Sequence, residues 1–140
     1  MIADTFDKTT QEILMELEKT QKQFWNISRP TAEFLYNLIV DSKAQSVIEV
    51  GTSNGYSGIW IGKALKKTGG KLTTIEFYDK RLDIAKENFE KCGVSDVIET
   101  KKGDGATGLS GFKSGRGVTV SLTTVLPCGS VEKSHRACST

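Results

Sequence analysis

The chain has no apolar run approaching the ~18 residues that cross a bilayer, so no transmembrane helix is expected. Its start, MIADTFDKTTQE, lacks a basic segment leading into an apolar one, which argues against a secretory signal. Cysteine is scarce: Cys92, Cys128 and Cys138 are odd in number and widely spaced, which suggests neither a disulfide framework nor a zinc pattern. Cys128, His135 and Cys138 without a tight C-x-x-C pair do not make a metal site. A cytoplasmic protein with reduced thiols is the simplest expectation. Nucleotide fingerprints are also missing. A dinucleotide turn needs glycine where this chain has Ser53, and the nearest approach to a P-loop, Gly58 to Lys63, is one residue short and lacks the Ser/Thr.

With 140 residues, 37% hydrophobic and 26% charged, the composition is that of one ordinary globular domain with a modest core. Charge is uneven. Residues 1–104 sum to −1 and residues 105–140 to +3, a basic excess too small to argue for nucleic acid.

What is present is organised around residues 46–62, SVIEVGTSNGYSGIWIG. A short apolar run (Val47, Ile48, Val50) breaks into a turn with glycines at 51, 55 and 58, then resumes at helical length. Strand, glycine turn and helix together present backbone N–H groups and a positive helix end to an anionic ligand.

Before this unit, periodicity predicts a helix over 10–23, with Ile13, Leu14, Leu17 and Phe24 on one stripe and Thr9 or Thr10 as its cap. A second helix is predicted over 30–40, begun by Pro30 and burying Phe34, Leu35, Leu38 and Ile39. After the glycine turn, a helix over 56–67 ends at Thr68-Gly69-Gly70. KLTTIE then forms a strand over 71–76, ending in Glu76. An acid at that strand end accepts hydrogen bonds from ribose hydroxyls in nucleoside-binding α/β folds. A helix over 79–91 follows, capped by Asp79, stopped by Gly93 and burying Leu82, Ala85, Phe89 and Cys92. A third strand over 97–101 leads to Gly103-Asp104.

The phrase IEVGTSNGYSGIW, E-x-G-T-x-x-G-Y-S in outline, resembles the first motif of class I S-adenosylmethionine (SAM) dependent methyltransferases. It is most similar to the O-methyltransferase branch that includes catechol and caffeoyl-CoA O-methyltransferases and many small bacterial relatives. The resemblance covers residues 10–108, including ISRPTAEFLYNLI. It implies an α/β, Rossmann-like three-layer α/β/α fold and methyl transfer from SAM to a hydroxyl of a small molecule. It implies cofactor-binding roles for Glu49 (methionine end), Gly51 (close backbone approach), Thr52, Ser53 and Gly55 (the turn), and Tyr56 with Ser57 (the serine near the methionine carboxylate). Glu76 matches the ribose-binding acid, and Asp104 matches the aspartate beside the adenine. The N-terminal helices are expected to shape the substrate entrance.

The resemblance also implies a further helix, an apolar fourth strand ending in aspartate, and an Asp-Asn pair. In metal-dependent relatives these hold a divalent cation, usually Mg²⁺. Residues 105–140 contain no aspartate or asparagine, so the metal ligands are not found and no catalytic residue is assigned. The segment 118–126, VTVSLTTVL, has high β propensity, yet its alternation suits a half-exposed strand and not a central parallel one.

The chain is thus expected to hold N-terminal helices (1–45), a SAM-binding β-α-β-α-β half-domain (46–104) and a divergent tail (105–140), disordered or out of frame. The fold is then incomplete, with three parallel strands and an open edge that invites self-association. The function expected is a truncated, inactive or active, SAM-dependent O-methyltransferase. The alternative is a non-catalytic SAM- or nucleotide-binding Rossmann-like module. The partners expected are a small-molecule hydroxyl substrate, with neither nucleic acid nor membrane.

Overall fold

The computed structural model describes residues 2–24, 26–103, 117 and 119–123. A 3₁₀ turn, Ile2–Thr5, precedes helix α1 (Lys8–Lys19), which is followed by a single turn, α2 (Gln21–Phe24), and by α3 (Arg29–Ser42). Strand β1 (Ser46–Val50), helix α4 (Tyr56–Thr68), strand β2 (Lys71–Glu76) and helix α5 (Asp79–Lys91) come next. Another 3₁₀ turn, Ser95–Val97, leads into β3 (Ile98–Lys102), and β4 spans Thr119–Thr123.

The strands form one parallel sheet in the order β3-β2-β1-β4. This corrects the three-stranded expectation: β4 pairs with β1 along its length, Ser46 opposite Thr119 and Val50 opposite Thr123. Its alternation is explained by position. Val120 packs against the core while Ser121 is exposed, as suits the last strand on that side among the described residues.

Val47, Leu72 and Val120 stand in register across three strands and pack in one cluster with Ile39, Trp60 and Phe89 from α3, α4 and α5. On the opposite face Ile48 and Ile75 are also buried, so β1 and β2 are covered on both sides. The N-terminal segment joins this core through aromatic rings. Phe6 meets Trp60 at 5.2 Å and Tyr36 at 5.9 Å between centroids.

Helix boundaries depart from expectation for local reasons. Helix α1 begins two residues early because Asp7 is its cap, accepting from the Thr10 N–H at 3.0 Å and the Thr10 hydroxyl at 2.6 Å. Its chain breaks at Thr20 before the short α2. Ser28 caps α3, with Pro30 in its first turn. Helix α3 buries Ala32, Leu35, Tyr36 and Ile39, leaving Phe34 and Leu38 exposed at 64% and 40%. The two apolar stripes lie side by side on the helix, and the one containing Ala32 allows the closer approach to α4. Tyr78, not Asp79, occupies the cap position of α5, and Asp79 sits in the first turn, paired with Lys102 at 2.9 Å. Among the described residues no helix is long and apolar enough to cross a membrane.

Candidate functional site

The turn from β1 into α4 is built by backbone that most residues avoid. Gly51 (φ +99°), Ser53 (φ +52°) and Gly55 (φ +93°) all have positive φ. The Gly51 and Thr52 N–H groups both donate to the Ile75 carbonyl, at 2.8 and 3.2 Å, which ties the turn to β2. Gly55 is required twice over, since a Cβ there would stand 2.9 Å from the Phe89 ring. Helix α4 therefore starts at Tyr56 with no side chain on its cap residue, and its positive end stands beside the turn.

Two acids stand at this end of the adjacent strands, Glu49 one residue before the end of β1 and Glu76 the last residue of β2, and both are buried. Glu49 is 2% exposed. One of its oxygens accepts from the Ser57 hydroxyl of α4, the other from the Thr74 hydroxyl of β2 at 2.8 Å. Burial pushes its carboxyl up to about 7; the Ser57 and Thr74 bonds oppose this and the Glu76 charge adds to it. Glu76, 6% exposed, accepts the Ser53 N–H at 2.7 Å on one oxygen and the Tyr78 N–H at 3.0 Å on the other. Thr52 Oγ1 lies 2.6 Å from Thr74 Oγ1.

The N-terminal helices are fastened to the same turn. The Ser53 hydroxyl donates to the Phe24 carbonyl at 2.9 Å. The Tyr56 phenol donates to Glu18 at 2.5 Å, and Arg29 grips the same carboxylate through Nε and Nη2 at 2.8 and 3.0 Å. Burial, then the neighbouring Glu18, raises the Tyr56 phenol well above its ordinary value, so it remains a donor. Asn54, 1% exposed, accepts the Tyr56 N–H on Oδ1 at 3.3 Å and the Asn88 amide on its carbonyl at 2.8 Å. Its own Nδ2 is buried without a hydrogen-bond partner among the described residues.

Of the residues singled out from sequence, Glu49, Gly51, Thr52, Ser53, Gly55, Tyr56, Ser57 and Glu76 are thus assembled around one turn. The Tyr56 side chain is directed to the N-terminal helices. Asp104, with Cys128, His135 and Cys138, lies outside the described residues. Thr74, Asn54, Glu18 and Arg29 were not anticipated. Thr74 carried a signal, a polar residue two before Glu76 and so on the same face of the strand. Glu18 and Arg29 carried none, since separate helices bring them together. Among the described residues, no group of three or more His, Cys, Asp or Glu is placed to hold a metal ion.

A family model described as O-methyltransferase matches residues 4–121. The match extends beyond the 10–108 span of the sequence resemblance and into β4, within the segment expected to be a divergent tail. The catechol O-methyltransferase of Niastella koreensis is 32% identical over 78 residues, 56% of this chain and 35% of that protein. The protein-L-isoaspartate O-methyltransferase of Methanococcus vannielii is 42% identical over 66 residues, 47% of this chain and 31% of that protein. Among solved structures, an O-methyltransferase from Bacillus cereus in complex with SAH superposes with a TM-score of 0.71 at 25% identity, covering 89% of this chain and 59% of that one. The chain spans about a third of the length of these two curated relatives. With most of its length matched by the family and its parallel sheet shared with a solved member, the chain belongs to the O-methyltransferase family.

Proposed function

We propose that this chain is the cofactor-binding part of a SAM-dependent O-methyltransferase whose whole activity is methyl transfer to a hydroxyl of a small molecule. The observation that carries this reading is the pair of buried acids, Glu49 and Glu76, at the ends of adjacent parallel strands on either side of a positive-φ turn. Neither acid is ion-paired with a lysine, arginine or histidine among the described residues. A ligand bearing a cation and a diol answers both. Glu76 uses one acceptor position on each oxygen for backbone, leaving capacity for ribose hydroxyls. Glu49 faces the cationic methionine end, with Ser57 and the α4 N-terminus suited to the methionine carboxylate. The residues proposed to hold the cofactor are Glu49, Gly51, Thr52, Ser53, Gly55, Tyr56, Ser57, Glu76 and, from the resemblance, Asp104. The unpartnered Asn54 amide adds a donor in the same turn.

When bound, SAM supplies an electrophilic methyl on its sulfonium. The contribution of this chain is to hold and orient it and to keep water from the turn. No residue here is assigned to ionise the acceptor hydroxyl. Relatives named for catechol and for protein L-isoaspartate both match this chain, and the acceptor proposed, a small-molecule hydroxyl, follows the first of them.

A second reading is a binding module that holds SAM without turnover. The reading also includes a cytoplasmic location, no nucleic-acid partner, and self-association through an outer sheet edge, now that β4 covers β1. Calorimetric titration with S-adenosylhomocysteine, with Glu76→Ala as control, tests the site. Saturable binding lost in the variant is expected, and no binding by a folded chain would refute the reading. Methyl transfer from SAM to a catechol separates enzyme from module.

A further inference from the structure

Glu49 is the most enclosed charge at the site, and its surroundings are unusually specific about what holds it. Facing it are Ser57 from α4, Thr74 from β2 and, further along β2, the carboxylate of Glu76. Among the described residues no cation is bonded to it. Its retention as a carboxylate therefore depends on hydroxyl donors. Thr74 is itself fully buried, and its single proton goes to Glu49 Oε1 at 2.8 Å. The 2.6 Å contact between Thr74 Oγ1 and Thr52 Oγ1 must then be donated by Thr52. The order is fixed while Glu49 is ionised: Thr52 donates to Thr74, which donates to Glu49. Each bond in such a chain polarises the next. Register explains why these residues meet. Glu49 and Thr74 are paired across β1 and β2 on the face toward α4, and Thr52 follows directly after the strand turns back over β2.

Resting on the cofactor reading above, we infer that Thr74, with Thr52 behind it, is a positioning residue that orients Glu49 and keeps it ionised to meet the cationic end of the ligand. Thr74 does not touch the ligand; it acts through Glu49. Thr52 contributes its hydroxyl to the chain and its backbone to the turn.

The test is titration of the Glu49 side-chain carboxyl by ¹³C NMR in the ligand-free chain, in wild type, Thr74→Val, Thr74→Ser and Thr52→Val. Losing one buried donor to a carboxylate is expected to raise the Glu49 midpoint by about one pH unit in Thr74→Val. Thr74→Ser should return it to the wild-type value, and Thr52→Val should raise it by less. An unchanged midpoint in a folded Thr74→Val overturns the inference. Should that variant not fold, Thr52→Val and Thr74→Ser decide: an unchanged midpoint in Thr52→Val overturns it equally. As a second readout, S-adenosylhomocysteine affinity in Thr74→Val should fall about fivefold near pH 7, where the wild-type carboxyl is half ionised, and recover toward pH 9. A loss equal at every pH would mark Thr74 as merely structural and overturn the inference. Absence of binding by the wild type refutes the cofactor reading, while the carboxyl titration still decides whether Thr74 governs Glu49.

Discussion

The carboxylate of Glu76 accepts the Ser53 N–H at 2.7 Å, so the end of β2 holds the turn that follows β1. Ser53 is a non-glycine residue at φ +52°, a conformation that costs on the order of 1 kcal/mol and persists only where its surroundings impose it. Glu76 is one such constraint, and the Ser53 hydroxyl on the Phe24 carbonyl is another. The acid proposed for the ribose is therefore already at work in the free protein, shaping the turn that would receive the methionine end.

Glu76→Ala should accordingly do two things. It leaves the Ser53 and Tyr78 N–H groups without their acceptor and is expected to lower stability by about 2–4 kcal/mol, read by urea denaturation. It should also abolish S-adenosylhomocysteine binding at temperatures where the variant remains folded. Glu76→Gln keeps one acceptor oxygen but presents an amide to the second N–H, and should lie between. Wild-type stability in Glu76→Ala would show that the turn does not depend on this carboxylate.

Glu49→Gln should stabilise the free protein, and by more at higher pH. Burial raises the Glu49 carboxyl from its ordinary 4.5 to about 7, so between those values the folded chain holds a proton that the unfolded chain has released. Stability therefore falls as pH rises through this window and stays lowered above it, by roughly 3 kcal/mol. Glutamine is neutral throughout. The difference in Tm between Glu49→Gln and wild type should be small near pH 4.5 and largest above pH 7, with cofactor affinity lost in exchange. A difference independent of pH would contradict the buried-charge account.

Gly58→Ala tests the packing beneath the site. A Cβ there would stand 2.6 Å from two atoms of the Phe89 ring, closer than the α4–α5 interface allows. Overpacking of this kind costs about 1–3 kcal/mol, against a gain of about 1 kcal/mol in helix propensity. A net loss in thermal stability is expected, and Phe89→Leu in the same chain should recover part of it. Gly69→Ala provides the contrast: nothing lies within 4 Å of its Cβ position, so only the φ of +79° is strained. Its loss should be about 1 kcal/mol, unrelieved by changes at Phe89.

Much of this arrangement was legible in the sequence because it is local. The bounds of β1 and β2 followed from apolar runs beside glycine and charge, and the α5 face of Leu82, Ala85 and Phe89 followed from its period. The glycine turn was legible for the same reason, and Glu76 as the acid that ends β2, whereas Glu49 was singled out through the family resemblance. What failed depended on partners far along the chain. Phe34 and Ala32 both belong to plausible stripes of α3, and only the approach of α4 selects between them. The strand at 119–123 alternates as the outermost strand among the described residues should, but its place beside β1 is set by a tertiary pairing that period alone does not reveal. Thr74 shares its strand face with Glu76, a signal present in the sequence, but its partner is known only once Glu49 is set opposite it.

The last prediction concerns how the N-terminal helices are kept on the turn. Glu18 receives the Tyr56 phenol and both arms of Arg29, which link α1, α3 and α4 through one half-buried carboxylate. The Arg29 guanidinium also lies 5.7 Å from the centroid of the buried Trp60 ring. Tyr56→Phe removes only the phenolic hydrogen bond and should cost about 1–2 kcal/mol. The loss should be local: amide hydrogen exchange in α1 is expected to accelerate while β1 and β2 keep their protection. Arg29→Lys should have a similar effect, because an ammonium cannot make the paired contact of the guanidinium. If both variants leave α1 exchange unchanged, the helices are held by other contacts, among them the Phe6, Tyr36 and Trp60 rings and the Ser53–Phe24 bond, and the Glu18 cluster is not what fixes them beside the site.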